Sequence, residues 1–368
     1  MTIITYYLIP FILVLGMLIF FHELGHFLVA KFYGVKVEKF ALGFGPILLK
    51  KDMGETEYSI RFFPLGGFVK MLGEEDLNDD DPLDLSPEEE ARAFNKKPVF
   101  QRIAIVAAGP IFNLVLAFLF FLGIYIVSGI KVMSTEIGQV RENSPAQKAG
   151  LEKGDLIIAI QGQPLNNWAD IKGHVQSNGD KPVILTVQRG DRIIDISIIP
   201  ETGILKNEFG EEIKTKLIGI ISTGKMNSME VGIFQAFEES LKETWKWTKL
   251  TCVLLGKIFQ GKVPFNSIGG PILIGQMTGK LAQNSYLNLI PFTAIISVNL
   301  GIVNLFPIPI LDGGVIIFLL LELLLGRPLG QKKREWAMKA GFFALIVLML
   351  TITYNDLDRM NVFQKLFG

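Results

Sequence analysis

The stretch Met17-Leu18-Ile19-Phe20-Phe21-His22-Glu23-Leu24-Gly25-His26-Phe27-Leu28-Val29-Ala30 closes an apolar run that begins near Ile3. A helix over that run is long enough to cross a hydrocarbon core of about 30 Å. Three ionisable side chains interrupt it within five residues: His22, Glu23 and His26. At mid-membrane each costs roughly 2.5–3.5 kcal/mol unless paired or bound to metal, so they are not expected to be idle. Residues four apart share a helix face, so both imidazoles can reach one metal ion. Glu23, between them, is placed to polarise a water on that ion rather than to bind it. A helix end with polar residues at the interface is the plainer reading, and three such groups together argue against it.

The rest of the chain agrees with a membrane setting. Hydrophobic residues make up 49% of the 368, against 20% charged, and mean hydropathy is +0.39. The charges must therefore be segregated. Four stretches can span: Ile3–Ala30, Ile103–Ile130, Tyr286–Leu325 and Ala340–Tyr354. The third, as one helix, would reach roughly 60 Å, so it must break, and Pro307 and Pro309 sit where a break is needed. Lys31, Lys36 and Lys39 follow the first span, Lys96, Lys97 and Arg102 precede the second, and Arg327, Lys332, Lys333 and Arg334 separate the last two. Positive charge marks the cytosolic side, which puts both termini and residues 131–285 outside. No positive n-region precedes the first span, so a cleaved signal peptide is not expected. The zero net charge gives no sign of a nucleic-acid partner, and a single cysteine, Cys252, excludes an internal disulfide.

The resulting fold class is a polytopic α-helical membrane protein with about four transmembrane helices and HExxH on the first. Residues 1–37 hold the first helix, and 38–73, apolar but broken by glycines, Pro46 and Pro64, predict a membrane-reentrant β-hairpin. An acidic cytosolic segment occupies 74–99, in which Ser86-Pro87-Glu88-Glu89 reads as a capped short helix. The second transmembrane helix takes 100–130. Within 131–203, the string SPAQKAGLEKGDLIIAIQGQPL (144–165) resembles bacterial PDZ domains, which bind peptides by adding a strand to a sheet edge. That edge is expected near Ile137-Gly138-Gln139-Val140. Residues 204–285 read as a linker with an amphipathic interfacial helix, on which Ile233, Phe237, Leu241 and Trp245 share a face. The third transmembrane region is 286–326, a basic cytosolic loop 327–339, and the fourth helix with an outside tail 340–368.

A catalytic zinc needs a third protein ligand and an open position. The one other histidine, His174, lies in the outside domain, and Cys252 in the amphipathic stretch. Asp312 and Glu322 remain. Asp312 is the better placed, because the prolines and glycines of Asn304-Leu305-Phe306-Pro307-Ile308-Pro309-Ile310-Leu311-Asp312-Gly313-Gly314 free the backbone to aim it. Asn304 could donate a hydrogen bond to a substrate carbonyl as charge develops, or could be a helix-packing amide.

HELGH in the first span, the PDZ-like insert and NLFPIPILDGG in a later span together resemble the site-2 protease family of intramembrane zinc metalloproteases. The likeness extends to its RseP-type regulators of sigma-E, here in a single-PDZ form. GFGP (43–46), KPVFQRIAIVAAGPIFN (97–113) and GGPI (269–272) extend it over nearly the whole chain. The resemblance implies zinc on His22, His26 and Asp312, with Glu23 as general base and the hairpin holding substrate as an added strand. It further implies a multi-pass protein of the bacterial inner membrane that cuts single-span membrane proteins such as anti-sigma factors or remnant signal peptides, after another protease has shortened them. Two other classes compete on the residues alone. A PDZ-bearing membrane scaffold has no need of Glu23, and an ion transporter would show paired inverted halves, which this sequence lacks.

Overall fold

The first span is helical from the first described residue, Ile4. In this computed structural model, which describes residues 4–74, 85–206, 212–264 and 269–361, one π-helical turn (Ile4–Leu8) runs into α1 (Ile9–Phe32). Pro10 sits in the first helical turn, where its missing N–H costs nothing. The helix stops at Tyr33, and Gly34 takes a left-handed φ of 68° that turns the chain into strand.

Two long strands follow, β1 (Val37–Met53) and β2 (Thr56–Met71). Their register makes more than a hairpin. Ile47–Met53 pairs antiparallel with Thr56–Arg61 around the Gly54 turn. Lys39–Leu42 lies between Glu57–Ile60, numbers rising together, and Gly67–Lys70, numbers opposed. Each strand thus bends once, β1 at Gly43–Pro46 and β2 at Phe62–Gly66, giving four segments in the order 47–53, 56–61, 37–44, 67–71. Gly43 and Gly45 have positive φ, and Pro46 and Pro64 lack an N–H, so regular pairing fails where the bends fall. The expected hairpin is therefore a folded four-segment sheet. Its inner half packs Val35, Val37, Phe40, Val69 and Met71 against Ala30 and Ile105. Its far end exposes Phe44, Ile47, Leu48, Leu49, Phe62 and Phe63.

Ser86 caps α2 (Pro87–Glu90) through a reciprocal bond with Glu89, as the sequence implied. Most of the acidic run lies outside the described residues. α3 (Val99–Ser128) carries Pro110 in its interior.

Residues Tyr125–Phe237 form a compact unit of their own. Its elements are β3 (Ile130–Met133), β4 (Ile137–Val140), α4 (Pro145–Lys148), β5 (Leu156–Ile160), β6 (Gln163–Pro164), α5 (Trp168–Ser177), β7 (Val183–Arg189) and β8 (Arg192–Ile198). Four further strands follow: β9 (Glu201–Lys206), β10 (Glu212–Leu217), β11 (Ile220–Ser222) and β12 (Met226–Met229). The sheet order is β6-β5-β7-β8, and Ile157, Ile160, Leu185, Val187 and Ile198 close over Ile171 and Val175 of α5. Two expectations need correction. The unit does not end at 203, because β11 returns to pair with β4 and β12 with β3. Nor is Ile137–Val140 an open edge. Ile220–Ser222 takes one flank, and Glu136 bridges Leu156 on the other. Among the described strands, β11 pairs with β4 alone, so its outer side is a free edge.

The amphipathic stretch is a helix, α6 (Ile233–Phe259). Its aromatic face is exposed, and Ala236, Ser240, Thr244 and Thr251 lie buried on the opposite side. α7 (Pro271–Asn284) is capped from another helix: the Asp356 carboxylate accepts the N–H groups of Gly270 and Leu273, each at 3.0 Å. That explains GGPI, since a Cβ on Gly270 would lie 2.6 Å from Asp356 Oδ2.

The long third region does break. α8 (Leu289–Asn304) and α9 (Asp312–Leu325) flank a proline-containing turn, and α10 (Gln331–Arg359) ends the described chain. Gly313 and Gly314 let α9 begin hard against that turn. A Cβ on either would stand 2.2 Å from the carbonyl oxygen of Leu305 or Ile308. Among the described residues, four helical stretches are long and apolar enough to span: Ile4–Phe32, Val99–Ser128, Tyr286–Asn304 and Gln331–Arg359.

Candidate metal centre

Two helices bring the candidate ligands together. α1 offers His22 and His26 on one face, and Asp312 enters from the first turn of α9. His22 Nε2 lies 3.2 Å from Asp312 Oδ2 and 3.3 Å from His26 Nε2, and His26 Nε2 lies 3.6 Å from Asp312 Oδ1. A tetrahedral ion with bonds of about 2.0–2.1 Å needs donors roughly 3.3–3.4 Å apart, so the spacing fits zinc. The tautomer of His26 fits too: its Nδ1 lies 2.9 Å from the Ile105 carbonyl, which must accept a proton from it, leaving the Nε2 lone pair for a metal.

Close helix crossing sets this geometry. A Cβ on Gly25 would sit 2.4 Å from the Ala108 carbonyl oxygen, and one on Gly109 would sit 2.3 Å from His26 Nε2. The run Ala107-Ala108-Gly109 of α3 is thus the floor under both imidazoles. Pro110 next to it removes one helical donor.

Glu23 is buried and lines the same cavity of about 540 Å³ as His22, His26 and Asp312. Gly67 presses on it, with room for no Cβ: 2.9 Å from Glu23 Cγ. The cavity is walled by Phe68 and Val69 of β2 and runs to Arg102, Glu322 and Arg334.

The structure brings Asp312, not Glu322, to the imidazoles. Glu322 accepts two hydrogen bonds from Arg102, one of 3.1 Å, which ties the end of α9 to the start of α3. Asn304 approaches the other nitrogen of His22, with Nδ2 3.5 Å from Nδ1. The sequence reading missed Asn113, fully buried on α3, whose Nδ2 lies 3.2 Å from the same Nδ1. An amide in the middle of an otherwise apolar span was the available signal.

The model of peptidase family M50 matches residues 10–348. The chain belongs to peptidase family M50. The Bacillus subtilis regulator of sigma-W protease RasP is 32% identical, the match covering 96% of this chain and 98% of that one. The Salmonella typhimurium regulator of sigma-E protease RseP is 31% identical at the same coverages. The Agrobacterium fabrum protein Atu1380, provisionally named a zinc metalloprotease, is 34% identical over 97% of both chains. Among solved structures, the HtrA3 PDZ domain bound to a phage-derived ligand shares 32% identity over 19% of this chain and 64% of that one, at a TM-score of 0.18. This M50 member is a multi-pass membrane protein and a zinc metalloendopeptidase of the site-2 type.

Proposed function

We propose that this enzyme hydrolyses peptide bonds in or beside the transmembrane segments of single-span membrane proteins, with His22, His26 and Asp312 as zinc ligands and Glu23 as general base. The observation that carries the proposal is the convergence of two imidazole nitrogens and a carboxylate on a cavity that also holds Glu23. Zinc bound there supplies Lewis acidity and an acidified water, a nucleophile at neutral pH. Glu23 takes the proton of the attacking water and delivers it to the leaving nitrogen. Asn304 is assigned to the substrate carbonyl, a role that requires its amide to leave His22.

A transmembrane helix hides its carbonyls in internal hydrogen bonds, so substrate must unwind to be cut. The outer edge of Gly67–Met71 borders the cavity, and an unwound stretch laid along it regains backbone bonds as an added strand. The exposed apolar rim at Phe44–Leu49 and Phe62–Phe63 suits a sheet dipping into lipid from the cytosolic side. Charge asymmetry supports extracytoplasmic termini and an extracytoplasmic PDZ-like unit in a bacterial inner membrane. The substrates are then anti-sigma factors or remnant signal peptides, already trimmed by another protease.

Reconstitution into liposomes with a single-span model substrate tests this. Products whose masses place the cut within or next to the span, lost on chelation, are expected. Cuts confined to the substrate's outside domain, or cleavage indifferent to chelator, would sink the proposal. With Cys252 replaced by serine, an impermeant thiol reagent should reach a cysteine at Gln188 but not one at Lys332 in intact cells.

A further inference from the structure

His26 has a backbone acceptor for its second ring nitrogen, and His22 needs an equivalent. Two side chains approach His22 Nδ1, and one backbone group approaches its ring. Asn113 Nδ2 is at 3.2 Å and Asn304 Nδ2 at 3.5 Å, and the Gly109 carbonyl also approaches the ring. Asn113 differs from Asn304 in being fully buried, and its Oδ1 has no hydrogen-bond partner. Its backbone is pinned as well: Ser297 Oγ donates to the Asn113 carbonyl at 2.7 Å, and a Cβ on Gly301 would lie 3.4 Å from Asn113 Cβ. The side chain is therefore held against the ring by the α3–α8 crossing.

An Asn113 amide turned with Nδ2 toward His22 conflicts with a ligand role. An Nδ2–H that donates to His22 Nδ1 places the imidazole proton on Nε2, the nitrogen facing Asp312 and His26. An Nε2–H cannot bind metal. Amide oxygen and nitrogen are interchangeable by a half-turn of the carboxamide, and Oδ1 gives up no bond in making it. We propose that Asn113 is a positioning residue for the metal centre: its Oδ1 accepts the Nδ1–H of His22 and locks the tautomer whose Nε2 faces Asp312. This rests on His22 being a ligand. It also leaves the Asn304 amide free for substrate.

The test compares zinc affinity, by competition with a chromophoric chelator, in full-length protein purified in detergent. Asn113→Leu should lose about 10–100-fold, the usual effect of removing a ligand's hydrogen-bond partner. Asn113→Asp keeps an acceptor and cannot donate from the same place, so it should stay within about threefold of wild type, as should Asn304→Leu. If Asn113→Asp falls as far as Asn113→Leu, the amide donates through Nδ2 and the proposal fails. It fails equally if Asn113→Leu binds zinc like wild type, with the Gly109 carbonyl then holding the ring. Should the Leu variant not accumulate, nitrogen-15 spectra of histidine-labelled, zinc-loaded wild type decide, with only His22, His26 and His174 to assign. A proton on His22 Nδ1 whose shift moves in Asn113→Asp supports the assignment, and one that does not move overturns it. Failure of the underlying ligand reading is separable: His22→Ala would then leave zinc affinity unchanged.

Discussion

Replacing Gly109 by alanine adds one methyl group on a helix that contributes no ligand. The added carbon would lie 2.3 Å from His26 Nε2, 2.6 Å from His26 Cε1 and 2.9 Å from His22 Cε1. Ordinary contact is about 3.5 Å, so the His26 ring must retreat by about 1.2 Å or α3 must move away from α1. Metal sites tolerate displacements of only about 0.2 Å in their bond lengths. Zinc affinity should fall by about 100-fold or more, which is roughly 2.7 kcal/mol, with a matching loss of cleavage at limiting zinc. Gly16→Ala and Gly123→Ala lie in the same two spans with nothing within 4 Å of the added carbon, and they should leave affinity unchanged. The assay is zinc stoichiometry after dialysis against graded chelator, with thermal unfolding as the control for packing. Wild-type affinity in Gly109→Ala would refute the claim that the backbone of α3 sets the imidazole positions.

Asp312→Asn should lower both zinc retention and activity, while Glu322→Gln, which loosens the pair with Arg102, should leave zinc bound; elemental analysis of the purified variants ranks them. In the PDZ-like unit, Asp155 is buried and accepts two hydrogen bonds from Arg189, at 2.7 and 2.8 Å, and one from the Glu152 N–H at 2.9 Å. Burial pushes its carboxyl up, but these partners outweigh burial and hold it below the usual carboxylate range. Its stabilising contribution is therefore complete above the unfolded value of about 4 and lost as pH falls through the lower folded one. Arg189→Ala should cost roughly 2–3 kcal/mol near pH 7, discounted for an Arg189 side chain that is 32% exposed, and less near pH 3. Hydrogen exchange over residues 130–229 in the full-length protein reads both. Finally, Ile130 and Met229 are paired neighbours, so residues 131–228 can be replaced by a short Gly-Ser turn. Zinc binding and cleavage of a pre-trimmed substrate should survive, and substrates with bulky outside domains should become cleavable; slower cleavage of the trimmed substrate would instead make the unit a tether.

What the sequence made legible was chemistry with a short period. The i, i+4 histidines, the capping box at Ser86 and the prolines of 304–314 are local rules, and their elements formed where those rules put them. The narrowing of the third donor to Asp312 or Glu322 also came from counting ionisable groups in apolar spans. What escaped was closure over distance. β11 and β12 are short and lie about 80 to 100 residues from the strands they pair with, so nothing local joins them to the PDZ-like unit. The sheet at 37–71 was seen only as a hairpin, because positive φ at Gly43 and Gly45 fixes bends whose partners no alternation pattern reveals. Asn113 and Arg102 escaped for a third reason. A lone amide or cation in or beside a span has no readable partner until the helices cross.

The central claim is that one zinc is held by His22, His26 and Asp312 while Glu23 moves the proton. Glu23→Gln separates the two halves, because the substitution is nearly isosteric, touches no ligand and removes only the base. Zinc content and cleavage of a reconstituted single-span substrate should be measured on the same preparation. About one zinc per chain is expected in both wild type and variant, with cleavage abolished in the variant. Cleavage above background in Glu23→Gln, or loss of its zinc, would contradict it.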